Sequence, residues 1–437
     1  MSDATLSTTS TPLLDDRVRG FPPGHPPLPL EAIGSQNWKP YDGLMGLPLM
    51  SLDEAAFAGN IEAMMGFVKD HGVEIAPHAK TPMAPALAEA LLSAGAWGTT
   101  VADIRQLSVF LNAGRRRLIL ANEIGGVAAA RRLSALLAGF PDAEVHIFVD
   151  SRELVEALRQ AWSERDDLPA LGFLIEFGAG RAGARTVQAG LDILDLVLAS
   201  ETPKLRLTGI AAYEGAAATS DARETAERIR GLLQMTSEFL VLLRRRLADA
   251  RPLILTAGGS VFFDMVVAGL SDAVAADPGC RLILRSGAIF FHDHGIYERG
   301  LAALDARGGY VRHGLVQSAA AAFVPALRIW AEVLSCPETG LAICAMGLRD
   351  VANDQGLPRP LALYRDGQCR ADLEGCEVLR LNDQHAFIRV GAQSTVAVGD
   401  VIAFGISHPC TCLDRHAVVY GLGPDHRVRH AYLTSFG

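Results

Sequence analysis

The chain has 437 residues, 49% of them apolar and 20% charged, with a formal net charge of −9. That length exceeds one ordinary core and predicts two domains, and the composition excludes a disordered chain. No basic run suggests nucleic acid, no long apolar stretch suggests a membrane span, and the first thirty residues lack the basic start and apolar core of a signal peptide. Seven cysteines at irregular spacing do not form a disulfide framework, so a reducing cytoplasm is expected.

Residues 1–44 read as an N-terminal arm, with Phe21-Pro22-Pro23 and Pro26-Pro27 as breakers. From about residue 70 to 300 short β-rich runs alternate with helical patterns. The runs are Val73–Pro77, Trp97–Val101, Arg117–Leu120, Glu144–Val149, Gly172–Phe177, Leu205–Ala212, Pro252–Thr256 and Arg281–Arg285. Helical patterns between them include Met83–Ala94, Asp103–Ala113, Val127–Ala138, Arg152–Ser163, Ser220–Leu247 and Phe262–Leu270. Runs such as Leu253-Ile254-Leu255 are apolar throughout, as strands covered on both faces should be. Eight strands over this length match a (β/α)8 TIM-like barrel. A doubly wound sheet is the alternative, but it would carry a glycine fingerprint after its first strand, and here that strand leads into a lysine. After about residue 310 the runs are short and strand-like, separated by Gly/Pro/Asp turns, which predicts a C-terminal all-β domain. The expected division is an arm over 1–44, the barrel over 45–308 and the β domain over 309–437.

The chain holds four lysines against thirty-six arginines. One of the four, Lys80, closes the run Val73–Thr81 at the mouth of the first barrel strand. A lysine buried there would have its ammonium form disfavoured and its amine free to attack a carbonyl; the plainer reading is a surface lysine. His78 shares a strand face with it by the period of two and serves as a supporting group. After the seventh strand comes Thr256-Ala257-Gly258-Gly259-Ser260, and after the eighth Ser286-Gly287-Ala288. These are the loops in which barrels commonly hold phosphate, because glycine lets backbone N–H groups approach an anion. With Lys80 they describe a phosphate-bearing aldehyde held as a Schiff base, which is pyridoxal 5′-phosphate. Arg181, in the glycine-rich loop after the fifth strand, could contact the phenolic oxygen of that cofactor or form a surface ion pair. Tyr213 and Glu214, after the sixth strand, are placed to face it; Tyr213 could equally be a packed aromatic. Near the C-terminus, Ser407-His408-Pro409-Cys410-Thr411-Cys412 would put His408 and Cys410 on one side of an extended segment. That donor pair suits Zn2+ or another divalent metal in an open site; the competing reading is a buried strand with inert cysteines. Cys412, on the same face, could assist. Asp293, His294 and Tyr297 either line the entrance or cap a helix.

Taken in order, Pro77-His78-Ala79-Lys80-Thr81, the Gly178–Gly183 loop, Gly258-Gly259-Ser260, Arg285-Ser286-Gly287 and Ser407-His408-Pro409-Cys410 resemble the D-threonine aldolase and metal-dependent D-serine dehydratase family of alanine-racemase-type pyridoxal phosphate enzymes. The resemblance spans about residues 45–435. It implies a barrel plus a β domain, with a strand near Leu47–Leu52 joining the β domain, and a homodimer. It assigns Lys80 as the Schiff-base lysine and Arg181 to the phenolic oxygen. It gives Gly258, Gly259, Ser260, Ser286 and Gly287 to the phosphate and His408 and Cys410 to the metal. His78 and Tyr213 complete the expected catalytic set. A cysteine at the second metal position looks more like the dehydratases than the aldolases. The expected reaction is dehydration of a β-hydroxy D-amino acid, with D-serine first. A D-threonine-type aldolase, a metal-independent racemase and a non-catalytic cofactor carrier are the alternatives. No nucleic-acid or membrane partner is expected.

Overall fold

A computed structural model describes residues 12–259, 261–370 and 373–436 of the chain. The chain divides into two compact units, one of residues 59–290 and 297–323, the other of residues up to 58, 291–296 and 324 onward. After two short paired strands at Leu13–Leu14 and Leu28–Pro29, strand β1 (Leu49–Asp53) also belongs to the second unit. It runs into helix α1 (Glu54–Asp70), whose later residues enter the first unit.

The first unit is a parallel barrel. Its strands are β2 (Glu74–Ile75), β3 (Thr99–Val101), β4 (Arg117–Leu120), β5 (Glu144–Val149), β6 (Leu171–Phe177), β7 (Leu205–Ala212), β8 (Leu253–Ala257) and β9 (Cys280–Leu284). They pair in the order β2-β9-β8-β7-β6-β5-β4-β3. The chain beyond β2 closes the ring against β3: Trp97 N–H donates to Ile75 O (2.7 Å), Thr100 N–H to Pro77 O (3.0 Å) and Ala79 N–H to Thr100 O (2.8 Å). His78 and Thr100 form a parallel bridge at this seam. Helices α2 (Pro85–Ser93), α3 (Ile104–Asn112), α4 (Gly126–Leu137), α5 (Arg152–Ser163), α6 (Val187–Ala199), α7 (Ala222–Arg246) and α8 (Phe263–Ala275) follow β2 to β8 in turn, and α9 (Ile296–Ala306) follows β9. Several begin where a side chain satisfies a free backbone donor: Asp103 accepts from Gln106 N–H (2.7 Å), Thr186 from Ala189 N–H (3.1 Å) and Asp221 from Glu224 N–H (2.7 Å). These contacts fix where each helix leaves its strand, and hence where the rim loops lie.

The barrel interior is filled by Ala76, Ile119, Ala121, Phe148, Leu174, Ala211, Ile254 and Ile283. Side chains alternate along a strand, so the residue two positions on from each points the same way. Ile119 leads to Ala121 within the plug, and the other next residues are polar: His78, Glu123, Asp150, Glu176, Tyr213, Thr256 and Arg285. An apolar plug thus gives way to one charged layer at the C-terminal rim.

The second unit is antiparallel apart from one pairing. Its centre is β10 (Leu327–Glu338), which pairs with β1, with β11 (Leu341–Cys344) and with β16 (Val401–Gly405). β12 (Arg359–Arg365), β13 (Gln368–Arg370), β14 (Glu377–Leu381) and β15 (Ala386–Arg389) extend the sheet, and β17 (Val418–Leu422) joins β1 in parallel while pairing with β18 (Val428–Leu433). The strand β12 was hidden in the sequence because Pro360 interrupts the pattern; it sits where the register against β16 shifts, a place that tolerates a missing N–H. The expected loose arm is corrected from residue 12 onward: Leu14, Phe21, Ile33, Trp38 and Met45 are buried in one core with Leu49, Trp330, Tyr364 and Tyr420. Prolines break regular structure but leave the apolar side chains between them free to pack.

Candidate active site

Lys80 lies in a turn just past the seam, not in a strand, and it is exposed. Of the two placements weighed for Lys80, the buried one is corrected and the exposed one holds. The ladder of β2 ends at Ile75, and Met83 N–H donates to Ala79 O (2.9 Å), which curls the chain and sets Lys80 among polar rim residues. His78 is held well below the usual histidine range, first by burial and then by the nearby charges of Lys80, Arg285 and Arg181. It is neutral at neutral pH, and its Nδ1 is buried without a hydrogen-bond partner. Such an atom fits a site that receives a polar group.

Arg285 crosses the mouth fully buried. It donates to Thr256 Oγ1 (2.8 Å) and Ala212 O (2.7 Å) and lies over the Phe148 ring at 5.2 Å. Burial pushes its pKa down, against the attraction of Glu214 and Glu176. The glycine turn after β8 does form a pocket of backbone donors, and Gly258 takes φ +106°, which favours glycine. Its occupant is Glu214: Gly258 N–H donates to Oε2 at 3.0 Å and Gly259 N–H to Oε1. The expected phosphate donors Gly258 and Gly259 thus hold a carboxylate from their own chain. Glu214 is fully buried, and burial raises its pKa against those two donors. Ser260 lies outside the described residues. Ser286 is buried, and its hydroxyl makes long contacts to Gly258 O (3.5 Å) and Gly259 O (3.4 Å). A Cβ at Gly287 would collide with the carbonyl of His78, so the turn after β9 is pressed against the chain leading to Lys80. Ser286 and Gly287 are the expected phosphate residues that keep a fit to that group.

Arg181 has a half-exposed side chain lying over Tyr213, 4.9 Å from the ring centre and 3.9 Å from the Glu176 carboxylate. Of the two readings of Arg181, the ion pair is the one this arrangement contains. Glu123 and Glu176 escaped the sequence reading, though both occupy the interior alternation beyond Ala121 and Leu174. Glu123 is pushed up to about 9, first by burial, then by its hydrogen bond to Glu176 and the charges of Glu176 and Asp150. Neither Glu123 oxygen, nor Glu176 Oε2, finds an ordinary donor. A proton kept on Glu123 lets it donate to Glu176 and accounts for both.

In the β unit, His408 has extended backbone (φ −158°, ψ 111°), as a residue before proline should. The extended reading fails beyond it: Pro409 opens a helical turn, α10 (Pro409–Leu413), where its missing N–H costs nothing. His408 and Cys410 nevertheless meet. Burial lowers the pKa of His408, but hydrogen bonds with Cys410 and Asp354 outweigh it and raise the group to about 9. Asp354 Oδ2 lies 2.6 Å from His408 Nδ1. Cys412 is removed from the expected donors: it is fully buried, accepts from Ala352 N–H (3.3 Å) and is pushed up to about 12, chiefly by burial. None of the seven cysteines is in a disulfide. Among the described residues no group of three or more His, Cys, Asp or Glu side chains is placed to hold a metal ion. A nitrogen and a sulfur donor side by side fit a borderline-soft metal with open positions. Asp293 Oδ1 accepts from Gly295 N–H (2.6 Å) just ahead of α9.

A parallel (β/α)8 barrel with a lysine turn beyond its first strand, and an antiparallel β unit, define the alanine-racemase type of fold. The chain belongs to the alanine racemase N-terminal domain family, whose model matches residues 52–271. A second model, described as "Putative serine dehydratase domain", matches residues 326–422. The chain is 26% identical to a D-threonine aldolase of Arthrobacter sp. over 404 residues, 90% of either chain. Among solved structures, D-threonine aldolase from Filomicrobium marinum shares the fold with a TM-score of 0.71 at 21% identity, covering 89% of this chain and 95% of that one. D-threo-3-hydroxyaspartate dehydratase from Delftia sp. HT23 gives 0.65 at 20% identity, with 89% and 97% covered. A cysteine-to-alanine variant of a dehydratase of that name was solved in a metal-free form. Among the described residues no helix is long and apolar enough to cross a membrane.

Proposed function

We propose that this protein is a pyridoxal phosphate- and metal-dependent dehydratase of a β-hydroxy D-amino acid, with D-serine or a close analogue as substrate, yielding pyruvate and ammonia from D-serine. The observation that carries the reading is the pairing of His408 with Cys410, a donor set suited to zinc, in a chain whose barrel rim holds Lys80 beside neutral His78 and buried Arg285. Lys80 would carry the cofactor, Ser286 and Gly287 would take its phosphate, and Arg181 its phenolic oxygen. When bound, the cofactor supplies an electron sink for charge released at the substrate Cα. Lys80 Nζ would take the Cα proton, and Arg285, fixed by Thr256 and Ala212, would set one buried cation beside the bound substrate. His78, being neutral, orients the bound group by hydrogen bonding; Tyr213, held under Arg181, borders it. A divalent metal on His408 and Cys410 would polarise the β-hydroxyl and ease its departure. A soluble cytoplasmic homodimer completes the proposal.

The likeness to D-threonine aldolase over 90% of the chain favours a second reading, cleavage of Cα–Cβ. Products separate the two. Purified protein given D-serine, with and without EDTA, should form pyruvate and ammonia that vanish on chelation and return with Zn2+. Glycine and acetaldehyde from D-threonine, with no pyruvate from D-serine, would replace the dehydratase by the aldolase.

A further inference from the structure

We infer that Asp354 is a positioning residue that sets the His408 imidazole for a metal; the inference rests on the metal reading of His408 and Cys410 above. The two residues are 54 positions apart, and they meet through one carboxylate oxygen of Asp354. Oδ2 lies 2.6 Å from His408 Nδ1, and Oδ1 accepts from the Thr411 hydroxyl at 2.8 Å. The carboxylate is thereby clamped between two side chains of the same turn. A carboxylate at Nδ1 holds a proton there, which leaves Nε2 as the nitrogen for a metal and strengthens it as a donor.

The loop that carries Asp354 is tied down on both sides. Ser407 Oγ donates to Gly356 O (2.7 Å), and Ala352 N–H donates to the Cys412 sulfur (3.3 Å). Further back, His416 Nε2 meets Asp350 O at 2.8 Å, and Asp350 Oδ2 accepts from Gly347 N–H at 2.8 Å. Four bonds from one turn to one loop are more than a surface ion pair needs, and surface pairs hold no fixed geometry. The arrangement explains why Cys412 is spent on structure while Cys410 is left beside the histidine ring.

The test is metal affinity, measured by Zn2+ titration of chelator-stripped full-length protein against a colorimetric competitor. Asp354→Ala should weaken binding roughly tenfold to a hundredfold. Asp354→Asn should recover most of the loss, since an amide oxygen still accepts from Nδ1. Thr411→Val should cost only a few-fold, the thermal midpoint should stay within a few degrees of native, and His408→Ala should lose the site. Native affinity in Asp354→Ala would overturn the inference while leaving the metal reading intact. So would a zinc X-ray absorption spectrum that loses an oxygen ligand in that variant, because Asp354 would then be a ligand itself. A native protein that takes up no Zn2+ would overturn both readings at once, and retained pyruvate formation in that metal-free protein would show that the lysine chemistry stands without it.

Discussion

The barrel rim and the His408 turn reach their chemistry by different routes. At the rim, each polar side chain is the next step of an alternation that began in the apolar plug. Ile283 leads to Arg285, Leu174 to Glu176 and Ala121 to Glu123. The order of strands then brings the residues together without further instruction. In the β unit, His408 is aimed by a loop from another part of the sequence, and its neighbour Cys410 is turned toward it by a proline-started helix. A repeated fold builds a site from periodicity; an irregular turn builds one from individual hydrogen bonds. Substitutions should therefore act through backbone layout at the rim and through single contacts in the turn.

The largest effect falls on Lys80. Lys80→Ala should abolish both turnover and the visible absorbance of bound cofactor; a persistent band would place the attachment elsewhere and break the rim half of the comparison. Trp330→Ala tests the β unit's core. The residue is fully buried, and its indole N–H donates to Ser51 Oγ at 2.8 Å. Its loss should cost about 3–5 kcal/mol in denaturant unfolding. Gly287→Ala probes the rim layout itself, because the added carbon meets backbone, which cannot rotate away. A loss of about 1–3 kcal/mol is expected, with weakened cofactor retention. Unchanged stability would mean the turn has slack.

Glu123→Gln tests the rim through the dependence of stability on pH. The carboxyl rises from an ordinary value of 4.5 to about 9 on folding. A raised acid contributes fully below its unfolded value, and its contribution fades as pH climbs toward the folded one. The native protein should lose stability between about pH 5 and 9 relative to the glutamine variant, which keeps a neutral donor toward Glu176. Parallel stability curves across that window would remove the shared proton.

The same contrast explains what could be read from the sequence. Strands such as Glu144–Val149 and Leu205–Ala212, and the helix Arg152–Ser163, were legible to the residue because burial on both faces or on one stripe writes a strong period. The turn that carries Lys80 was not, since the period stops where the turn begins. The capture of the glycine turn by Glu214 needed three dimensions, because a donor pocket in a sequence does not name its occupant. Asp354 left no local signal: Asn353-Asp354-Gln355-Gly356 reads as a loop, and nothing in it points 54 residues onward.

The buried aromatics of the N-terminal segment bear on how the protein can be cut. Family alignment begins at residue 52, which invites expression of a shortened chain from that point. Such a fragment would start inside β1 and lose Phe21, Ile33, Trp38, Met45 and Leu49 from the core around Trp330 and Tyr420. The unit of homology and the unit of folding have different edges here, and a screening library built on the first would return insoluble protein whatever its catalytic residues.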